Sequence, residues 1–358
     1  MNKKVYKYRL YPTKEQEQKL SQAFGCTRFV WNQFVDAFNN KEEKEKTVPQ
    51  LKIEFPFLNT VSCAVLQQKQ RDIIEFKSQF FNPKRKIKVD RPAFKKKHNH
   101  NSFRLPNQKF KVFDTKIQFE KIGKVSYVQD RRLAENHKLL SVTVSKNVLG
   151  QYFASVLVET EIKELPKTGK TVGIDLGLKT FLVTSDNVEI ENPRYFRESQ
   201  TKLKKAQRYL SRKKKGSNRY KKQKRKIAKI HQKTANERSH FLHQLTNQLV
   251  KDYDKIVIED LNVKGMVKNK KLSKSISDAS FSTFRSQLTY KCNWYGKELI
   301  VADRFYASSK TCSDCGNKKD KLTLSQRTYI CECCGLVIDR DYNASLNLKN
   351  IAARVKVA

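Results

Sequence analysis

"VGIDLGLKTFLVTS" (residues 172–185) is the most informative stretch for the fold of the C-terminal half of the chain. Two short apolar, β-branched runs predict strands at Thr171–Leu176 and Thr180–Thr184. Asp175 lies inside the first strand, with a glycine two residues away on either side, and these small residues leave room for a backbone to approach. A charged residue on a strand usually faces water, so an acid among residues typical of a buried strand is a candidate functional residue.

The composition points to a polyanionic partner. The 358 residues include 75 Lys+Arg against 35 Asp+Glu, a formal net charge of +40. Nucleic acid is the first interpretation and an anionic membrane surface the second. No apolar run approaches the roughly 18–20 residues of a membrane-spanning helix. The N-terminal "MNKKVYKYRLYP" lacks the apolar core of a signal peptide, so we expect an intracellular protein.

The N-terminal half reads as a β unit with helices inserted after its first strand. Lys3–Leu10 alternates like a strand, and Thr13 with Gln16 forms a capping-box pattern at the start of a helix. Apolar residues at helical spacing predict two helices between Leu20 and Phe38, and a further helix covers Ser62–Phe81. From Phe110 the period changes to two, which predicts strands within residues 109–120, 138–146 and 152–160. The basic, proline-interrupted segment Asn82–Lys97 is a candidate linker or nucleic-acid contact.

The C-terminal half reads as an α/β domain. The segment "ELPKTGK" (Glu164–Lys170) is the best candidate for a domain boundary. Beyond it, further strands are expected at Lys255–Glu259 and Glu298–Ala302, with a long helical region at Glu198–Lys251. Early strands, later helices and acids at strand ends suggest a ribonuclease H type of domain.

A long basic run is the candidate nucleic-acid contact. From Ser199 to Asn236 there is no Asp or Glu. Apolar residues keep helical spacing through the run, which argues against a purely solvated face or a disordered tail. Like charges one turn apart repel by tenths of a kcal/mol, so a polyanion would offset them. We interpret the run as a hairpin broken at Gly216-Ser217 that contacts a duplex or heteroduplex. The candidate contacts are Lys204, Lys205, Arg208, Arg212, Lys213, Lys214, Arg219, Lys221, Lys222, Arg225 and Lys226.

Four cysteines follow a metal-binding pattern. Cys312, Cys315, Cys331 and Cys334 form C-x2-C-x15-C-x2-C, in which each pair supplies two thiolates from one tight turn. A glycine follows each pair where the turn needs a positive φ, and this leaves Cys333 as the spare thiol. A closed four-thiolate site has no open position, so we expect structural Zn²⁺; the alternative is a set of free buried thiols. The remaining cysteines, Cys26, Cys63 and Cys292, are expected in the core.

Three acids are candidates for one catalytic site: Asp175, Glu259 at the end of "KIVIE", and Asp341 at the start of the last helix. In a ribonuclease H-like sheet the first and fourth strands are neighbours, so Asp175 and Glu259 would face each other, and the last helix can add Asp341. Two Mg²⁺ ions about 3.5–4 Å apart would offset their repulsion and catalyse phosphodiester hydrolysis. Asp339 suits a helix N-cap, and Asp260 is the alternative to Glu259. Any one of these acids taken alone is better explained as a turn or cap residue, but the three together, with their strand context and the basic run, favour a catalytic site.

Several motifs together resemble a known family. The stretches "VGIDLGLKTFLVTS", "IVIEDLNVKGM", "SSKTCSDCG" and "YICECCGLVIDRDYNASLNL" are similar to those of the TnpB family, the RuvC-like nucleases of small insertion sequences and relatives of small type V CRISPR effectors. The N-terminal "YKYRLYPTKEQEQKL" and "GCTRFVWNQF" also resemble the family's start. The resemblance therefore covers nearly the whole chain.

The resemblance implies a cytoplasmic, nucleoid-associated bacterial or archaeal enzyme directed by a guide RNA. It would cut double-stranded DNA beside a short flanking motif, with Asp175, Glu259 and Asp341 as the acids and with Mn²⁺ able to replace Mg²⁺. It implies a β-barrel-like wedge domain (1–12 and 98–165) with an inserted helical recognition domain (13–97). A RuvC-like domain (166–358) would follow, with a zinc-binding insertion at 308–337.

Some alternatives stay open at this point. A transposase would join strands, a guided regulator would bind without cutting, and a basic RNA-binding structural protein would have no use for the acids. The residues that read the flanking motif are not marked by any local pattern, and Arg28, Asn32 and Tyr11 are candidates only.

Overall fold

A computed structural model describes residues 2–40, 46–85, 89–97, 101–134, 137–323 and 326–354. The chain forms two compact units, Met1–Glu161 and Ile162–Ala358. The boundary lies a few residues before the segment that the sequence suggested.

The first unit is an antiparallel sheet with helices inserted after its first strand. Its seven strands pair in the order β2-β6-β7-β1-β5-β4-β3 and form a nearly closed, barrel-like sheet. The insertion of the helices after β1 confirms the sequence prediction. In chain order the elements are β1 (Asn2–Tyr11), α1 (Lys14–Asn39), α2 (Val48–Glu54), a 3-10 turn (Pro56–Thr60), α3 (Cys63–Phe80), β2 (Asn101–Pro106), a 3-10 turn (Asn107–Lys109), β3 (Phe110–Val112), β4 (Lys116–Phe119), β5 (Gly123–Val128), β6 (Lys138–Lys146) and β7 (Tyr152–Thr160).

The helix α1 is one continuous helix, so the prediction of two helices before Phe38 was wrong. Its buried residues Leu20, Val30 and Phe34 lie on one stripe that packs into the core of the unit, and no break in this stripe ends the helix. The predicted capping box is present: Gln16 N–H donates to Thr13 Oγ1 at 3.3 Å, and the Gln16 side chain accepts from Thr13 N–H at 3.1 Å.

The basic segment Asn82–Lys97 is not a free linker in its described part. The indole N–H of Trp31 donates to Ala93 O at 3.1 Å. The Asn32 amide donates to Lys95 O at 3.2 Å and accepts from Lys95 N–H at 2.8 Å. The end of the segment is therefore held along α1, while residues 86–88 lie outside the described residues.

The second unit is a mixed sheet covered by helices, in the order β10-β9-β8-β11-β12. The first three strands pair antiparallel, whereas β11 pairs parallel with both β8 and β12. Its elements are β8 (Thr171–Leu176), β9 (Thr180–Thr184), β10 (Glu189–Glu191), α4 (Tyr195–Ser211), α5 (Asn218–Asp252), β11 (Lys255–Ile258), α6 (Val263–Met266), α7 (Ser273–Ala279), α8 (Phe281–Tyr295), β12 (Glu298–Val301), β13 (Thr328–Ile330), β14 (Val337–Asp339) and α9 (Arg340–Arg354).

An ion pair fixes the start of this sheet. The buried Lys297 ammonium donates to Asp254 at 2.5 Å and to Pro166 O at 2.7 Å. Asp254 also accepts from the backbone N–H groups of Thr168 and Gly169, at 2.8 and 2.6 Å. The hydrogen bond from Lys297 holds the pKa of Asp254 well below its usual range. The carboxylate thus ties the segment before β8 to β11 and β12.

Candidate active site and metal centre

Two of the three predicted acids lie side by side because of the strand order. In the parallel pairing of β8 with β11, Ile174 is opposite Ile258. Asp175 and Glu259 each come one residue later, at the carboxyl ends of neighbouring strands. The sequence prediction that the first and fourth strands are adjacent is confirmed.

The last helix brings the third acid to the same end of the sheet. A Cβ on Gly173 would lie 2.0 Å from Ser345 O and 2.3 Å from Lys349 N, so the backbone of α9 packs directly on β8. The backbone that comes close to the strand at Gly173 is therefore that of α9, within the same protein. Asp341 lies in the first turn of α9. Asp339 caps that turn, accepting from the N–H groups of Asp341 and Tyr342 at 2.8 and 3.0 Å.

The three carboxylates interact electrostatically. Burial raises the pKa of Asp175 well above its usual range, and the charges of Glu259 and Asp341 raise it further. The Arg340 guanidinium acts in the opposite direction but does not cancel the effect. A carboxyl that is partly buried beside two others favours its protonated form unless a cation is bound nearby.

Two of the three acids have polar partners on other side chains. Glu259 accepts a short hydrogen bond from the Ser308 hydroxyl. Asp341 accepts from Arg340 Nε at 3.1 Å and from Arg327 Nη1 at 3.3 Å. Arg340 was visible as the neighbour of Asp341, but no local pattern marks Arg327, which is 14 residues earlier. Asp341 is thus paired with both arginines.

Asp260, the alternative to Glu259, has a different role. Its carboxylate accepts short hydrogen bonds from Arg285 and Arg304. The contact with Arg285, aided by Arg304, lowers the pKa of Asp260. Asp260 is therefore an ion-pair anchor, which favours Glu259 as the residue that faces the other acids.

The four cysteines predicted to bind metal converge on one point. The Sγ atoms of Cys312 and Cys334 are 3.6 Å apart, and those of Cys315 and Cys331 are 3.5 Å apart. Four thiolates at a Zn–S distance of about 2.3 Å would be separated by about 3.8 Å, so the donor set fits zinc. Within the described ranges, this is the only group of three or more potential ligands whose atoms all lie within 4.8 Å of one another.

The two cysteine turns have the same backbone geometry. Gly316 and Gly335 both have φ of 76°. Their N–H groups donate to Cys312 O and Cys331 O, each at 3.1 Å. Backbone N–H groups of Cys334 and Cys333 lower the pKa of the Cys331 thiol to about 6, which favours its thiolate, whereas burial and hydrogen bonds with the neighbouring thiols raise the pKa values of Cys315 and Cys334. The glycine argument that left Cys333 outside the site is confirmed.

The four-cysteine cluster is joined to the acids through α9. The buried Asn343 donates to Thr311 O at 2.7 Å and accepts from Ser313 N–H at 2.9 Å. The buried Asn347 donates to Ser308 O at 2.8 Å and also to Thr311 O. The segment that precedes and includes the first cysteine turn is thus bonded to the helix that carries Asp341. Of the remaining cysteines, Cys26 and Cys292 are buried and Cys63 is partly buried, as expected.

The basic run forms a helical hairpin with a packed side, as predicted. Ser217 caps α5 by accepting from Tyr220 N–H at 3.1 Å, and Gly216 has φ of 83° at the break. The two helices are joined by Ser199 and Thr234, whose hydroxyls are 2.9 Å apart, and by a bond from Gln223 to Ala206 O. Of the eleven predicted contacts, Lys213 is partly buried and the other ten are exposed. These ten cations face solvent.

The candidates for reading a flanking motif are Arg28, Asn32 and Tyr11, and their contacts do not bring them into one site. The bonds of Asn32 to Lys95 give it a structural role. Arg28 donates to Asn101 at 3.5 Å, and Tyr11 is 54% exposed.

Comparisons with known proteins agree with this architecture. A family model described as "Probable transposase" matches residues 154–270, and one described as "Cas12f1-like, TNB domain" matches residues 281–348. A "Helix-turn-helix domain" model matches residues 1–46, although the described part of that range contains a strand and one long helix. No helix in the described residues has the length and apolar character needed to cross a membrane.

Full-length relatives are also similar. A Streptomyces pristinaespiralis protein named "Putative RNA-guided DNA endonuclease" is 37% identical over 97% of this chain and 88% of its own length. "Putative RNA-guided DNA endonuclease InsQ" of Escherichia coli K12 is 30% identical over 96% and 91%. A solved "Cas12f1-sgRNA-target DNA complex" contains a chain that aligns with a TM-score of 0.55 and 13% identity, covering 98% of this chain and 99% of that one, which is a similarity of fold.

The fold and site define a class of strongly basic proteins in which an α/β unit carries both an acid cluster and a four-cysteine cluster with the geometry of a metal site. The similarity to full-length relatives specifies the group within this class. The chain belongs to the TnpB family.

Proposed function

We propose that the protein is an RNA-guided DNA endonuclease of an insertion sequence, which cuts double-stranded target DNA beside a short flanking motif. The names of its full-length relatives support this activity. The convergence of Glu259 and Asp341 on Asp175, which contributes to the raised pKa of Asp175, is the observation on this chain that carries the proposal. The partners are a guide RNA and target DNA.

We assign Asp175, Glu259 and Asp341 as the ligands of two Mg²⁺ ions in a RuvC-like site. Carboxylate oxygens are the donors that Mg²⁺ prefers, and divalent cations would relieve the repulsion that raises the pKa of Asp175. The three carboxylates do not all lie within 4.8 Å of one another, so they would share two ions between them rather than enclose a single ion. Bound Mg²⁺, or Mn²⁺ in its place, supplies an activated water and stabilises the leaving oxygen of the phosphodiester.

The chain's own residues hold this site in place. Ser308 orients Glu259 through its hydroxyl, and Asp339 caps the helix that presents Asp341. Zn²⁺ on the four cysteines would stabilise the segment bonded to that helix. The basic hairpin contacts the phosphate backbone, which holds the substrate without reading its sequence.

We also assign the domains on the basis of the family. Residues 1–12 and 98–165 form the wedge, 13–97 the recognition insertion, and 166–358 the RuvC-like nuclease with its zinc-binding insertion at 308–337.

The direct test is cleavage of a target plasmid by the protein assembled with the RNA that co-purifies with it. Asp175→Ala should abolish cutting of both strands while leaving guide-RNA and target binding within about twofold of the parent. The reason is that the metal site stabilises the transition state rather than the complex. Undiminished cutting by the variant would remove Asp175 from the mechanism.

A transposase is the second candidate, because the family model over residues 154–270 is described as a "Probable transposase". A transposase would join the DNA ends that it produces. Incubation of labelled element ends with target plasmid distinguishes the two: joined products would favour the transposase, and linearised plasmid alone favours the nuclease. Target binding with neither product would indicate a guided regulator.

A further inference from the structure

A strongly basic cavity of about 540 Å³ lies in the second unit beside the start of α4. Its lining includes six cationic side chains, Lys179, Arg194, Arg197, Lys271, Lys274 and Arg327. One acid, Asp278, also lines it. That carboxylate already accepts from Arg238 at 2.8 Å and from the N–H of Phe196 at 3.0 Å. The cavity therefore has a large excess of positive charge, and none of its cations is among the eleven nucleic-acid contacts predicted from the sequence.

Most of this charge is not neutralised within the protein. Lys179, Arg197, Lys271 and Lys274 are exposed, and they form no ion pair with any residue that the structure describes. Like charges gathered around one cavity repel one another. An anion bound among them would offset that repulsion and would be attracted from solution.

Arg327 links the cavity to the acids. Its side chain lines the cavity, and its Nη1 is 3.3 Å from Asp341 Oδ2. A ligand held by the cavity cations therefore lies directly beside one of the three carboxylates. This position suits the strand that is cut better than a guide RNA, which has no reason to approach the acids.

The backbone at the rim of the cavity is strained. Arg194 has φ 49° and ψ 41°, a left-handed conformation that is unfavourable for a non-glycine residue. Asn192 Oδ1 accepts from Arg194 N–H at 3.2 Å, and the Arg194 guanidinium donates to Lys179 O at 3.4 Å. Strain of this kind persists where the surrounding structure holds it, and such residues cluster at ligand sites.

We propose that this cavity binds the phosphodiester backbone of the single DNA strand that enters the acid site. The proposal extends the nuclease function proposed above. The volume lies within the range of about 300–1,000 Å³ found for ligand pockets, so it admits a short stretch of one strand rather than a duplex. Lys271 and Lys274 contact phosphates of that stretch, and they position the strand without taking part in the chemistry.

The test compares a variant in which two cavity lysines are replaced with one in which two lysines outside the cavity are replaced. The variant Lys271→Ser/Lys274→Ser is matched by Lys264→Ser/Lys268→Ser, which removes two exposed lysines close in sequence that do not line the cavity. Both pairs are made in the Asp175→Ala background, and the affinity for a single-stranded DNA oligonucleotide is measured against salt concentration. Each lost phosphate contact reduces the slope of log K against log salt by about 0.7.

The cavity pair should therefore reduce the slope by about 1.4 and weaken binding roughly tenfold at low salt. The control pair should match the parent, and Lys271→Arg/Lys274→Arg should retain binding. With the acids intact, the cavity pair should raise KM for target DNA and leave kcat within about twofold. Guide-RNA affinity should not change.

Two results would overturn the proposal. An unchanged slope for the cavity pair would show that no DNA phosphate binds there, and a selective loss of guide-RNA affinity would show that the cavity holds RNA. The nuclease function is judged separately by plasmid cleavage with the parent protein. If the parent failed to cut, the salt dependence of single-strand binding would still decide whether the cavity binds DNA.

Discussion

Replacement of Gly173 by alanine should displace the helix that carries Asp341. The new Cβ would lie 2.0 Å from Ser345 O and 2.3 Å from Lys349 N, whereas ordinary contacts begin at 3.4 Å. Both atoms belong to the backbone of α9, so no side chain can rotate out of the way. The helix must move by about 1.4 Å, or β8 must distort, to relieve the closer contact.

The expected loss is large for a single added methyl group. Overpacking usually costs about 1–3 kcal/mol, and two backbone contacts place this case at the upper end, about 3 kcal/mol. In a unit of this size that corresponds to a melting temperature about 6–12 °C lower. A displacement of about 1 Å at a catalytic group costs on the order of 100-fold in rate, so plasmid cleavage well below the melting temperature should fall by about that factor.

Gly25→Ala is the matched control. Gly25 lies within α1, and its new Cβ would meet nothing closer than an Arg28 nitrogen at 4.0 Å. Alanine favours a helix interior over glycine by roughly 0.5–1 kcal/mol, so this variant should melt at the same or a higher temperature and cut at the parental rate. If Gly173→Ala melted within about 1 °C of the parent and cut normally, close packing of α9 on β8 would be refuted.

Three further predictions follow from the charges and the metal centre. In EDTA at pH 7, Asp175→Asn should raise the melting temperature, because a carboxyl with a raised native pKa destabilises the fold once it is ionised. Added Mg²⁺ should then raise the melting temperature of the parent only. An equal response of parent and variant to Mg²⁺ would contradict this prediction. Cys312→Ser should lose its zinc, as measured by elemental analysis, and should have a lower melting temperature, since the metal supplies folding free energy. Its cleavage rate should fall at least about tenfold. Retained zinc with normal cutting would contradict this prediction. Lys297→Met should lower the melting temperature at neutral pH. The lowered pKa of Asp254 stabilises the native state above about pH 3.9 and ceases to do so on acidification, so the two melting curves should converge in acid; parallel curves would argue against this role for the pair.

Local sequence patterns were sufficient for most strands and for the metal centre. The strands at Thr171–Leu176 and Thr180–Thr184 have the predicted bounds, because their alternating or continuous apolar runs end at glycine and turn residues. The cysteine centre was predictable because each pair lies in one turn, and the glycine after it reports the required positive φ. Asp339 was recognisable as a cap for the same reason, since a cap acts on the next few residues.

Apart from the length of α1, the features that local patterns did not reveal are contacts between residues far apart in the chain. The single helix α1 was divided in two because the apolar stripe alone does not show where a helix ends. Arg327 and Ser308 contact Asp341 and Glu259 from elements that are separated from them in sequence by 14 and 49 residues. The basic cavity draws its cations from several segments, so no single run of the sequence reveals it.

Spacing along a few residues was enough to identify the two strands, the three candidate acids and the four cysteines. The expected strand order also predicted that β8 and β11 are neighbours. The structure adds that the backbone of α9 packs directly on Gly173, and that burial together with the charges of Glu259 and Asp341 raises the pKa of Asp175. The physical reason is that a like-charge interaction depends on the distance between side chains in space. That distance is set by strand pairing and helix packing, and a pattern of a few residues does not reveal it.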